Sequence, residues 1–128
     1  MLDRQLRTEQ VPSVLNHDYL AGRRRHLGTA HACELLADGT LDLVGRLDRL
    51  ADLARHGDNA GIARLTHEIV GAAGHLGLLR MSQFAAQASY AARQGDAAGW
   101  VEAMLDTQAD SIGMLRAYCE SCLDESAA

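Results

Sequence analysis

Two near-repeated turn signals constrain this chain more than any other feature: ARHGDNAG at 54–61 and ARQGDAAG at 92–99. Each offers a glycine that stops one helix and an aspartate that caps the next, which is the chemistry of a corner between antiparallel helices. Two corners are too few for a solenoid, which stacks at least about three units of like length. The echo therefore reads as shared turn chemistry, and it commits the segments on either side of each corner to helix.

The residues between the corners agree. Val, Ile and Thr, whose branched side chains suit strands, total 13 of 128, whereas Ala and Leu dominate. From Thr29 apolar residues run through Cys33, Leu35 and Leu36, falter at Asp38-Gly39-Thr40, and resume at Leu43, Val44, Leu47, Leu50 and Ala54 with helical spacing. Gly39 either kinks one helix or divides two. A helix is expected from about Asp58 to His75, another from about Leu79 to Gln94 with Met81, Phe84, Ala85, Ala88 and Ala92 inward, and a last one after Asp96. Its stripe is Val101, Met104, Leu105, Ile112, Leu115 and Cys119. Asn16 or Asp18 can cap a short first helix reaching about His26, and Trp100 is expected to close one end of the core. The fold expected is all-α, an antiparallel up-down four-helix bundle with a short additional N-terminal helix, spanning 14–123 between tails at 1–13 and 124–128.

Charge and composition exclude several classes. A net charge of −5 repels nucleic acid and anionic membranes, no stretch reaches the roughly 18 apolar residues of a membrane span, and the N-terminus lacks a signal peptide's apolar region. The chain is expected to be cytoplasmic and monomeric. Three cysteines without a secretory signal point to free thiols. Cys119 and Cys122 lack a second ligand pair and read as core, not as a zinc, redox or haem site. His17, His26, His31 and His56 read as ordinary surface residues. Arg23-Arg24-Arg25 is either a solvated face or a contact for an acidic partner.

The helix near 58–75 is where chemistry concentrates. At about 100° per residue, Ile62, Leu65, Ile69, Ala72 and Leu76 share one side, while Ala60, Arg64, His67, Gly71 and Gly74 share the opposite one. His67 thus projects outward among residues with almost no side chain. Helix-interior glycine costs about 0.5–1 kcal/mol relative to Ala, and the simplest return on that cost is access: another macromolecule can bring a reactive atom to the imidazole. His75 lies about 80° round from His67, so a metal site built from the two is not expected.

The dodecapeptide THEIVGAAGHLG, 66–77, resembles the core motif of histidine-containing phosphotransfer (HPt) domains. The family pattern is His, then x-[Leu/Ile]-Lys-Gly-[Ser/Ala]-[Ser/Ala], then Leu-Gly. His67 matches the phosphoacceptor, Ile69 the buried aliphatic, Gly71 the access glycine, Ala72 and Ala73 the small pair, and Leu76-Gly77 the ending. The resemblance covers about residues 15–122. It departs at the family's lysine, which is Val70 here, in a chain that has no lysine at all.

The resemblance implies that His67 takes a phosphoryl group from the aspartyl phosphate of a response-regulator receiver domain and passes it to another receiver. Partners would be receivers and a hybrid histidine kinase, with Mg²⁺ on the receiver and no cofactor of the chain's own. It would be a phosphocarrier without independent catalysis, since 128 residues leave no room for an ATP-binding domain. Arg64, one turn before His67, is the leading candidate to replace the missing lysine; His75 and Arg80 are weaker ones. Ala60, Ala63, Arg64, Val70, Gly71 and Gly74 form the expected docking floor. The alternative is a degenerate domain that binds a receiver or kinase without carrying phosphate, as an interaction or inhibitory module, with Val70 its mark.

Overall fold

A computed structural model describes residues 11–127, and five helices make up nearly all of it: α1 His17–Leu27, α2 Thr29–Arg55, α3 Asn59–His75, α4 Leu79–Arg93 and α5 Ala98–Ala127. The first ten residues of the expected N-terminal tail lie outside the described residues. The Asn16 side chain accepts from the Tyr19 N–H at 3.1 Å and so caps α1, and Asp58 caps α3 by accepting from the Gly61 N–H at 2.9 Å. Asp96 stands two residues ahead of α5, which begins at Ala98. Both expected corners turn through a glycine in the left-handed region, Gly57 and Gly95.

Helix α2 is continuous through Gly39. The glycine serves packing: a Cβ there would stand 2.6 Å from the Leu76 Cδ2 at the end of α3. Neighbouring helices pack in sequence, α2 on α3, α3 on α4 and α4 on α5, and α5 returns to α2. They enclose Leu43, Leu47 and Leu50 from α2, Ile62, Leu65 and Ile69 from α3, Met81, Ala85 and Ala88 from α4, and Val101, Met104 and Leu115 from α5. Burial of each large aliphatic stabilises the fold by about 1.5–3 kcal/mol. Trp100, at the start of α5, is half-buried against Phe84 with ring centroids 5.9 Å apart. The α5 stripe also carries two buried hydroxyls, Thr107 and Ser111, whose oxygens lie 3.4 Å apart, a polar contact that an apolar reading of that helix leaves out.

Residues 11–13, assigned to the tail by sequence, are fastened to the fold. Val11 packs against the core, the Arg80 Nε donates to the Pro12 carbonyl at 2.9 Å, and the Asn16 N–H donates to the Gly77 carbonyl at 2.8 Å. Val14 and Leu15 are buried. At the other end helix continues through Ala127, its residues from 123 onward exposed. Of the three consecutive arginines, Arg23 lies over the Tyr19 ring and Arg24 over the Tyr118 ring, each 5.9 Å from the centroid, while Arg25 is exposed. Two of the three therefore pack within the fold.

Candidate functional site

Helix α3 presents one face to the core and its opposite to solvent. The buried side chains are Ile62, Leu65, Thr66, Ile69 and Ala73, with Gly61 also buried in the first turn and the Thr66 hydroxyl donating to the Ile62 carbonyl at 2.6 Å. This corrects the expected inward face at one position: Ala72 is half-exposed and Ala73 fully buried. The reason is angular. Ala73 lies about 40° from Ile69 and Ala72 about 60° the other way, and Thr66 pulls the centre of the arc towards Ala73.

Measured from that centre, the pole facing solvent holds Ala60 and Gly71, with Arg64, His67 and Gly74 all within about 60° of it; all five are exposed. A Cβ on Gly71 would meet nothing within 4 Å, so packing inside the chain does not require glycine there. Gly74 borders Ser82, whose hydroxyl oxygen would lie 3.8 Å from an added Cβ.

Two neighbouring helices frame this strip. On one side Ser82 of α4 donates to the Val70 carbonyl at 2.9 Å and Ser89 donates to the Ala63 carbonyl at 3.1 Å. Between these anchors on α4 lies Ala86, exposed, so the seam beside His67 is lined by small residues. On the other side Arg46 of α2 donates to Asp42 at 2.9 Å and reaches across to Glu68, the residue after His67. The Asp42 carboxylate, ahead of that of Glu68, holds the Arg46 guanidinium above its ordinary range.

The candidate residues divide accordingly. Ala60, Ala63, Arg64, Val70, Gly71 and Gly74 gather on one surface with His67, Ala63 and Val70 half-buried on its α4 flank. Arg64 is exposed and takes no part in the ion pairs among the described residues, which are Arg46–Asp42, Arg46–Glu68 and Arg55–Asp52. His75 and Arg80 are not brought to His67. His75 is two turns on, about 12 Å along the axis, and its carbonyl accepts from the Tyr19 hydroxyl at 3.2 Å. Arg80 lies beyond the α3–α4 corner with its Nε on the Pro12 carbonyl. Among the described residues no group of three or more His, Cys, Asp or Glu side chains could hold a metal ion.

Arg46, Ser82 and Ser89 escaped the sequence reading. The serines stand seven residues apart, two helical turns on one face, a spacing that could have marked them as a contact line. Arg46 carries no local signal, because its partner Glu68 is 22 residues away.

No helix among the described residues is long and apolar enough to cross a membrane. No curated protein and no solved structure matches the chain. The Hpt domain family model matches residues 29–126, a span that includes α2–α4, all but the last residue of α5 and the whole His67 strip. With an exposed histidine next to the bare backbone of Gly71 in an all-helical fold, and with this model covering most of its length, the chain belongs to the Hpt domain family, whose members carry out phosphotransfer in two-component signalling.

Proposed function

We propose that this protein is a phosphorelay intermediate whose His67 accepts a phosphoryl group from one receiver aspartate and delivers it to another. The supporting observation is the exposure of His67 beside the open space at Gly71. The ring nitrogen lone pair, taken here as that of Nε2, attacks phosphorus and forms an N–P bond. The P–O bond to the aspartyl carboxyl breaks, the carboxylate leaves with the electron pair, and the ring keeps its Nδ1 proton. Phosphoryl transfer rests on positioning and on cationic clamps. Mg²⁺ belongs to the receiver in this reading, since Glu68, the carboxylate nearest in sequence, is already paired with Arg46.

Docking takes place on Ala60, Ala63, Arg64, Val70, Gly71 and Gly74, and Arg64 supplies positive charge to the phosphoryl oxygens. The short corners and the circuit of helix contacts support an antiparallel up-down bundle of α2–α5, with α1 added at its side. The protein acts in the cytoplasm as a monomer, exchanging phosphate with receivers and a hybrid kinase.

Incubation with a phosphorylated receiver and Mg²⁺ is expected to put acid-labile, alkali-stable label on the parent and none on His67→Gln. A second reading follows from Val70: a binding module that carries no phosphate. Receiver binding without label on the parent would establish that reading in place of the first.

A further inference from the structure

Arg46 lies outside the family motif, on α2, yet it makes the one ion pair among the described residues that joins two helices, and the carboxylate it holds is next in sequence to His67. We propose that Arg46 is a positioning residue for transfer at His67: by holding Glu68 against α2 it neutralises a carboxylate beside the acceptor and leaves Arg64 unpaired. This rests on the reading of His67 as phosphoacceptor.

The incoming phosphoryl group is anionic, and a free carboxylate on the adjacent residue repels it at short range. Glu68 also stands four residues after Arg64, the spacing at which opposite charges pair along a helix. The structure nevertheless pairs Glu68 with Arg46 and leaves Arg64 out of the ion pairs. Asp42 holds the other side of the guanidinium at 2.9 Å, so Arg46 is tethered at both ends and its side chain is only 26% exposed. Without Arg46, Glu68 becomes an uncompensated charge near the acceptor or takes Arg64 as its partner. Either outcome weakens the cationic environment of the phosphoryl group.

The test uses the full chain in three variants, Arg46→Gln, Glu68→Gln and the double substitution, with thermal melts to show that each is folded. Transfer from a phosphorylated receiver and the lifetime of phosphohistidine are measured at low and high salt. Arg46→Gln is expected to lower the transfer rate about three- to tenfold at low salt, with a smaller loss at high salt because the charges are screened. The double variant should recover the parent rate, and Glu68→Gln alone should equal or exceed it. A folded Arg46→Gln that transfers like the parent, or a double variant as slow as Arg46→Gln, overturns the proposal while leaving His67 as acceptor. Absence of label on the parent overturns the acceptor reading, and this proposal with it.

Discussion

Substitution at Gly71 should move stability and transfer in opposite directions. An added Cβ there meets nothing within 4 Å, so Gly71→Ala brings only the helix-propensity gain, about 0.5–1 kcal/mol, or about 2–5 °C in Tm for a domain of this size. Gly71→Gln should keep a comparable part of that gain. Its side chain, however, projects from one turn beyond His67, with Cβ atoms about 5–6 Å apart at that spacing. Side chains on a helix lean towards its N-terminus, so a glutamine at 71 lies back over the imidazole, where a receiver arrives in the proposed function. Displacing the partner by one side-chain width should slow transfer at least tenfold, equivalent to about 1.4 kcal/mol in the barrier. The control is Gly113→Gln on α5, where an added Cβ also meets nothing within 4 Å; it should gain similar stability and transfer normally. Thermal unfolding and single-turnover transfer from a labelled receiver measure the two effects. A Gly71→Gln protein that is folded and transfers at the parent rate would refute the access argument.

Gly77→Ala should destabilise the fold by about 1–3 kcal/mol in urea titrations, since the residue has φ 69° and its added Cβ would stand 2.7 Å from Leu20. Burial, ahead of contact with the Cys33 thiol, pushes the Cys119 thiol up to about 12. Its folded value thus exceeds its unfolded one, and the stability it contributes is lost as pH rises from about 9 towards 12. Urea midpoints of the parent should therefore fall more than those of Cys119→Ser between about pH 8 and about pH 10.5. Arg64→Ala should shorten the lifetime of phosphohistidine several-fold, less than a fully buried charge-assisted bond of about 1.5–3 kcal/mol would imply, because the guanidinium is exposed. Val70→Lys should lengthen that lifetime by more than Arg64→Ala shortens it, and an unchanged lifetime in both variants would remove any cation from the mechanism.

The helices, both corners and the outward histidine were legible in the sequence because each depends on local chemistry: a glycine at each turn, a capping aspartate at the first, and apolar residues three or four apart between them. Asp96, expected to cap α5, stands one residue too early to do so. What stayed hidden depends on contacts distant in the chain. Gly39 reads equally well as a kink or a break until Leu76 is seen packed against it, and Arg80 reads as a free cation until Pro12 is found on its Nε. Likewise residues 11–13 have tail-like composition, and only the α3–α4 corner shows where they are held. Ala72 and Ala73 are the same residue type, so hydrophobicity cannot separate them; buried Thr66, polar by type, decides the centre of the arc.

The same angular frame bears on Val70, which stands where the motif that this chain resembles has lysine. Val70 and Arg64 lie symmetrically about His67, each three residues and about 60° away, Val70 on the α4 side and Arg64 on the α2 side. In the proposed role, Arg64 in place of a lysine at 70 moves positive charge from one side of His67 to the other. The move is not neutral, since a side chain at 70 leans back towards His67 while one at 64 leans away from it. Arg64 must use the length of its own chain to return, at a cost in side-chain entropy, and any carboxylate within reach competes for it. Glu68 is that carboxylate, and Arg46 already holds it. If Arg64 acts in this way, a cation on the α2 side is effective only together with an α2 residue that keeps its rival engaged, and the proposal ties position 70 to a residue 24 positions earlier in the chain.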